Sequence, residues 1–190
     1  MTRIIAGKAR GLRLDVPGTG TRPTSDRVRE SLFGALESAD AIAGARVLDL
    51  YAGSGALGLD ALSRGGASDD LVERSRAAAS VIRRNLHVVT KAMGTASARV
   101  HESGVGAFLG RVTGPFDLVF SDPPYDVDDQ QMTADLLALA PLLSADAIVI
   151  IERTRRSAAP EAIGLEVFRE KQYGDTALWW LQPVAESQSR

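Results

Sequence analysis

The chain has 190 residues, 45% apolar and 24% charged, a size and composition that suit one globular domain with a substantial core. It has no cysteine and only two histidines, His87 and His101, which excludes disulfides and thiolate metal sites and gives no basis for a histidine-built metal centre. The net charge of −2 conceals an asymmetry: residues 1–30 carry seven Lys/Arg against three acids, a net +4, and the remainder carries −6.

That basic end fits a polyanion contact, although a solvated terminus would carry the same charge. The first eight residues lack the apolar core of a signal peptide. No apolar run approaches the roughly 18 residues of a membrane span, so a cytoplasmic protein is expected. Residues 1–24 read as a basic arm, in which stretches 3–6 and 12–16 can pair as a hairpin around Gly7–Gly11. Pro23, Thr24, Ser25 and Asp26 then read as a helix entrance: Thr24 or Ser25 can cap it, and Asp26 favours its positive end. The helix should run to about Glu37, with Val28, Leu32 and Leu36 inward.

From Ala45 onward strand and helix alternate. Strands are expected at 46–50, 71–73, 99–101, 116–121, 147–152, 165–172 and 177–181. Helices are expected near 56–64, 75–90, 103–111 and 129–143. This alternation predicts an α/β fold with a doubly wound, seven-stranded, mostly parallel sheet. Only Tyr173, Gly174, Asp175 and Thr176 separate the last two strands, a hairpin that makes one of them antiparallel. Residues 68–70, Ser-Asp-Asp, are unusual at a strand start and suggest that the second strand is short or frayed there. Trp179 and Trp180 fall on opposite faces of the last strand. The organisation expected is an arm at 1–24, one domain at 25–184 and a disordered polar tail at 185–190.

The first central strand runs into Tyr51-Ala52-Gly53-Ser54-Gly55-Ala56-Leu57-Gly58. Glycines there let the chain turn sharply and let a ligand approach the backbone. The next helix offers that ligand its positive end. Glu73, twenty residues after Gly53, can accept hydrogen bonds from both ribose hydroxyls of a nucleoside. Dinucleotide and S-adenosylmethionine enzymes both use such an arrangement. Asp49 favours the second, because it can face a cationic amino-acid moiety whereas it would repel a pyrophosphate. It can equally bond the loop backbone.

The fourth strand delivers Asp122-Pro123-Pro124-Tyr125 to the carboxyl end of the sheet, where α/β enzymes place their sites. An exocyclic base amine is a poor nucleophile because its lone pair is delocalised into the ring. Two acceptors on its N–H protons can aim that lone pair, and the Asp122 carboxylate and Pro123 carbonyl can be those acceptors. Both prolines have fixed φ, so the acceptors are held with little freedom. Tyr125 offers a face for an extruded base. Arg153-Thr154-Arg155-Arg156, beyond the fifth strand, is either an RNA contact or a solvated loop.

The chain resembles the RsmD-type 16S rRNA guanine-N2 methyltransferases, on the segments 3–11 (Arg-Ile-Ile-Ala-Gly-Lys-Ala-Arg-Gly), 22–33, 49–58, 61–65, 72–73, 122–125 and 173–176. The resemblance implies a Rossmann-like class I fold that binds S-adenosylmethionine through Asp49, Ala52, Gly53, Gly55, Glu73 and Ser103, with no metal. It places a guanine amine among Asp122, Pro123 and Tyr125. It casts Arg3, Lys8, Arg10, Arg13, Arg22 and Thr24 as RNA contacts near the catalytic mouth. The implied partner is 16S rRNA in the small subunit or its assembly intermediate, with ribosomal proteins nearby and the enzyme a monomer. One departure stands out: Gly104 occupies the place where an Asp or Asn would contact the cofactor adenine, which leaves Ser103 or backbone for that contact. The Asp-Pro-Pro-Tyr segment also suits an adenine-N6 methyltransferase. The glycine match alone also suits an NAD-dependent oxidoreductase, and an RNA-binding assembly factor without catalysis is a further alternative.

Overall fold

A computed structural model describes residues 2–18, 25–94 and 97–185. Arg22, Thr24 and residues 186–190 of the expected tail lie outside the described residues. At the N-terminus, β1 (Thr2–Arg3) pairs antiparallel with β2 (Arg13–Leu14). The strands expected at 3–6 and 12–16 thus narrow to two residues each. The Ile4 N–H still donates to the Leu12 carbonyl at 2.9 Å, and local backbone bonds close the turn between them. Helix α1 (Asp26–Ser38) follows, with the Ser25 hydroxyl accepting from the Val28 N–H as its cap.

The large sheet contains β3 (Arg46–Leu50), β4 (Ser68–Glu73), β5 (Ala98–Glu102), β6 (Phe116–Ser121), β7 (Leu143–Thr154), β8 (Leu165–Tyr173) and β9 (Thr176–Pro183). The helices between them are α2 (Ala56–Ser63), α3 (Arg76–Met93), α4 (Val105–Leu109) and α5 (Asp129–Leu139). The strand order is β5-β4-β3-β6-β7-β9-β8. The first five are mutually parallel, and β9 lies antiparallel to both its neighbours. The chain winds outward from β3 to β5, then returns to place β6 on the other side of β3. Connections therefore diverge between β3 and β6, and the carboxyl ends of these strands frame a cleft.

Three element boundaries differ from the sequence expectation. Strand β4 starts at Ser68 and is not frayed: Asp69 is buried and lies between Val47 and Ala98. The expected helix 103–111 contracts to Val105–Leu109, bracketed by Gly104 and Gly110. Helix α5 stops at Leu139, because Pro141 lacks an N–H and the chain passes through a single 3-10 turn into the long β7.

Alternation along the strands sorts the core onto two faces. Leu48, Leu50, Val119 and Ile151 meet Phe108 and Leu109 of α4 and Met132 and Leu136 of α5. Val47, Leu118, Phe120 and Ile150 meet Leu32, Phe33 and Leu36 of α1. The tryptophans divide the same way, with Trp179 half-buried in the first cluster and Trp180 buried in the second. Ile4, Ala9 and Leu14 of the arm join Leu59, Leu71 and Ile82 in a third cluster.

One fully buried guanidinium fixes the arm. Arg29 Nη2 donates to Thr2 Oγ1 at 2.7 Å, the Arg3 carbonyl at 2.9 Å and Asp26 Oδ1 at 2.7 Å. Its Nη1 reaches Asp60 Oδ2 at 3.3 Å. Asp60, also fully buried, accepts from the Ile5 N–H and from Arg64 Nε, each at 3.1 Å. Ser63 Oγ accepts from the Ala9 N–H and donates to the Ala6 carbonyl. Helix α2 leaves the carboxyl end of β3, so Ser63 sits towards the amino end of the sheet. The hairpin turn carrying Lys8 and Arg10 is anchored there.

Arg29→Met would take from buried Asp60 one of its two guanidinium partners, leaving Arg64, and would unpair Thr2 and the Arg3 carbonyl. It is therefore expected to cost about 3 kcal/mol of folding free energy. Urea denaturation checks this, and a loss below about 1 kcal/mol would contradict the assignment.

Candidate active site

The cofactor-side loop is shaped by two glycines and two acids. Gly55 begins α2 with φ +76, and a Cβ there would press on Leu71 at 3.0 Å and Ile82 at 3.1 Å. Gly58 donates its N–H to Asp49 Oδ2 at 2.9 Å, while its Cα faces the Asp69 carboxyl so closely that any side chain would overlap it. Asp49 thus has the backbone role that its position in β3 allowed. Glu73, at the end of β4, accepts from the Gly53 N–H at 3.1 Å through one oxygen and from the Ser75 N–H at 2.7 Å through the other. Each oxygen keeps a lone pair for a ligand hydroxyl. Ala52 is buried beneath the turn, its N–H bonded to the Val72 carbonyl.

Asp122 leaves β6 between β3 and β7. Burial pushes its carboxyl well above the usual range, and the Glu152 and Asp49 charges push it further. Asp49 is raised to about 7, first by burial and then by Glu73, against the lowering effect of the Gly58 N–H. Asp69 is raised strongly by burial and by Asp49 and Asp70, and neither of its oxygens finds a hydrogen-bond partner, so its surroundings disfavour the charged form. The carboxyl end of the sheet is thus a crowd of acids, at which an anionic pyrophosphate would be repelled and a cation held.

A cleft of about 1740 Å³ opens over this end. Of the residues expected in the site, Gly53, Glu73, Ser103, Asp122, Pro123 and Tyr125 line it. Asp49, Ala52 and Gly55 lie behind its wall. Tyr125 is 82% exposed at the rim. The Ser103 hydroxyl donates to the Gly104 carbonyl at 3.1 Å, and its N–H to the Glu73 carbonyl, also at 3.1 Å. Arg3, Lys8, Arg10 and Arg13 do not line the cleft, and Arg3 pairs with Asp26 at 3.1 Å.

Other residues hold the site in ways that sequence patterns did not reveal. Tyr51 keeps φ +58, uncommon for a residue with a side chain, and its hydroxyl donates to buried Asp135 of α5. Gln131 donates to the other Asp135 oxygen at 2.9 Å. Arg153 donates to the Val127 carbonyl and to Asp129, each at 2.8 Å, and so braces the segment after Asp122-Pro123-Pro124-Tyr125. That fixes Arg153 on the protein. Arg74, Arg155 and Arg156 are exposed at the cleft wall.

The strand order and cleft define a Rossmann-like class I methyltransferase. The magnesium protoporphyrin IX methyltransferase ChlM of Synechocystis PCC 6803 shares the fold with a TM-score of 0.63, at 12% identity, over 86% of this chain and 87% of that one. A hypothetical protein of Thermus thermophilus superposes with a TM-score of 0.82, at 32% identity, over 97% of this chain and 100% of that one. The family model described as Conserved hypothetical protein 95 matches residues 2–182. Ribosomal RNA small subunit methyltransferase D of Escherichia coli K12 is 38% identical over 189 residues, covering 98% of this chain and 92% of the relative. The chain belongs to this family, the RsmD-type methyltransferases.

The raised Asp49 gives a pH signature. A cation bound beside it favours the ionised form, so binding releases a proton below pH 7 and none well above it. Affinity for S-adenosylmethionine is expected to rise by at most about tenfold per pH unit towards neutrality and then level off. Asp49→Asn should flatten that rise in a calorimetric titration. A flat profile in the unaltered protein would contradict the assignment.

Proposed function

We propose that the protein transfers a methyl group from S-adenosylmethionine to the exocyclic N2 amine of a guanine in 16S rRNA, in the small subunit or its assembly intermediate. In this reading it acts in the cytoplasm as a monomer, without a metal, and with ribosomal proteins as possible neighbours of the bound RNA. The observation that carries the chemistry is the placing of Asp122 and Pro123 at the switch point, within an acidic cleft bounded by Glu73 and Tyr125. The RNA substrate is suggested by the name of the relative from Escherichia coli, and the choice of guanine N2 by the family resemblance.

The residues present fit the cofactor. The lone pairs of Glu73 suit ribose hydroxyls, Gly53 on the cleft wall gives close backbone approach while Gly55 lets the loop pack against Leu71 and Ile82, and the buried acids suit an ammonium and a sulfonium. Ser103, which lines the cleft beside Gly104, would be the residue to contact the adenine, since Gly104 offers no side chain. Bound S-adenosylmethionine supplies an electrophilic methyl on a positively charged sulfur. That same charge favours ionised Asp122, and only the carboxylate accepts hydrogen bonds through both oxygens.

The Asp122 carboxylate and the Pro123 carbonyl accept the two amine protons and aim the nitrogen lone pair at the methyl carbon. With S-adenosylmethionine bound, the N–C bond would form as the C–S bond breaks and its electron pair stays on sulfur. The methylated ammonium then loses a proton to Asp122 or to water. Tyr125 stacks on the extruded base at the rim. The acid is thus a positioning acceptor first and a proton acceptor second.

RNA binding divides between two places. The arm, with Arg3, Lys8, Arg10 and Arg13, contacts RNA away from the reacting base, and Arg22 and Thr24 are further RNA contacts. Arg155 and Arg156, with Arg74, supply the phosphate contacts at the mouth itself, where the neighbouring acids repel backbone and favour an amine.

Asp122→Asn is expected to lower turnover by at least a hundredfold while affinity for S-adenosylhomocysteine stays within about threefold, since one acceptor is lost and the cofactor face is kept. Unchanged turnover would refute the role. The double variant Arg155→Gln, Arg156→Gln is expected to weaken RNA binding and lower the slope of log affinity against log salt by about 2. An unaltered slope in filter binding would remove these arginines from the interface.

A further inference from the structure

Asn85 lies in the middle of α3 and is 3% exposed. Its side-chain amide is committed in both directions. Oδ1 accepts from the Asp15 N–H at 2.8 Å, and Nδ2 donates to the Asp15 carbonyl at 2.9 Å. Nδ2 also donates to the Ser54 carbonyl at 2.9 Å. The amide therefore pairs with the arm backbone just past β2 as a neighbouring strand would, and holds the turn between Gly53 and Gly55. Only an amide fits, because a carboxylate would set oxygen against two carbonyls and an apolar side chain would leave three backbone groups unpaired.

The two segments it joins have different tasks. Gly53 carries the N–H that meets Glu73, so the pitch of the Ser54 peptide sets where the loop backbone faces the cofactor. Asp15 lies where the arm leaves its hairpin, ahead of the stretch that leads to Ser25 at the cleft wall. Nothing in the arm's described residues lines the cleft. Beside the apolar packing of Ile4, Ala9 and Leu14 with Ala52 and Leu59, Asn85 is the buried side chain that hydrogen-bonds both the arm backbone and the glycine loop.

We propose that Asn85 is a positioning residue that makes the docked arm part of the cofactor site. It fixes the glycine loop in its ligand-ready form only while it is itself oriented by Asp15, so disturbing the arm backbone at residue 15 weakens cofactor binding at a distance. The proposal rests on the cofactor reading given above. It extends that reading to a coupling between the arm, which faces RNA, and the loop, which faces the methyl donor. By linkage, RNA that steadies the arm then raises cofactor affinity, and the cofactor steadies the arm by the same factor.

The test is a double-mutant cycle on the full chain, read by calorimetric affinity for S-adenosylhomocysteine. Asn85→Leu removes all three bonds. Asp15→Pro removes the arm's N–H and the exposed Asp15–Arg84 ion pair at 3.6 Å, which contributes little, without changing any residue of α3, so it keeps the test open if the buried variant folds poorly. Each single variant is expected to weaken binding by about fivefold or more, and the double variant by no more than the worse single one. KM for S-adenosylmethionine should rise by the same factor, with kcat at saturation within about twofold. A lowered melting temperature with unchanged affinity would overturn the proposal, as would single effects that multiply in the double variant. Absence of S-adenosylhomocysteine binding by the unaltered protein would instead overturn the cofactor reading.

Discussion

The structure depends on the cost of gathering carboxylates at one end of a buried sheet. Asp49, Glu73, Asp122 and Glu152 all come to the carboxyl ends of parallel strands, and Asp69 lies just beneath. Burial and mutual repulsion raise Asp49, Asp69 and Asp122 together. Such a cluster is tolerated only with local compensation. Asp49 receives the Gly58 N–H, Glu73 receives two backbone N–H groups, and burial disfavours the charged form of Asp69. In the proposed reading these acids suit a ligand that carries both a sulfonium and an ammonium.

Everything around the cluster limits its freedom. Tyr51 reaches across to Asp135 of α5 and Arg153 to Val127 and Asp129, so the segment that follows Asp122 is tied down where it enters α5. Gly58 has no side chain because Asp69 fills that space. On the opposite side of α2 and α3, Arg29–Asp60 and Asn85 bind the N-terminal arm to the helices that carry the cofactor loop. The arm is therefore part of the same packed body as the catalytic sheet, and its basic hairpin turn faces away from the mouth.

Much of this was legible from residue order. Alternating strands and helices, the terminal hairpin and the glycine loop followed by Glu73 rest on local periodicity and spacing, and they located the sheet, the cleft and its walls. Boundaries were less legible where tertiary contacts overrode local preference. Asp69 looked like a strand breaker but is buried in β4, because neighbours on both sides complete its backbone bonds and Gly58 makes room for its side chain. Asp60, Asn85 and Asp135 could not be recognised at all. Each is a polar residue on a helix, and its role comes from a partner 31 to 84 positions away. Arg153 reads equally well as an RNA contact from sequence, and only its bonds to Val127 and Asp129 assign it to the segment after Asp122. The arm's charge was plain, but its direction was not, since that depends on where Ser63 falls at the end of α2.

In the proposed reading the acid cluster suits a cationic methyl donor and an amine, and the identity of the base is left to one experiment. Small ribosomal subunits from a strain lacking this enzyme would be incubated with the protein and S-adenosylmethionine labelled in its methyl group, and the 16S rRNA then digested and its nucleosides mapped. The account predicts label in N2-methylguanosine at a single position, lost with Asp122→Asn. Label on the N6 amine of adenine, or RNA that stays unlabelled while the cofactor binds, would contradict it.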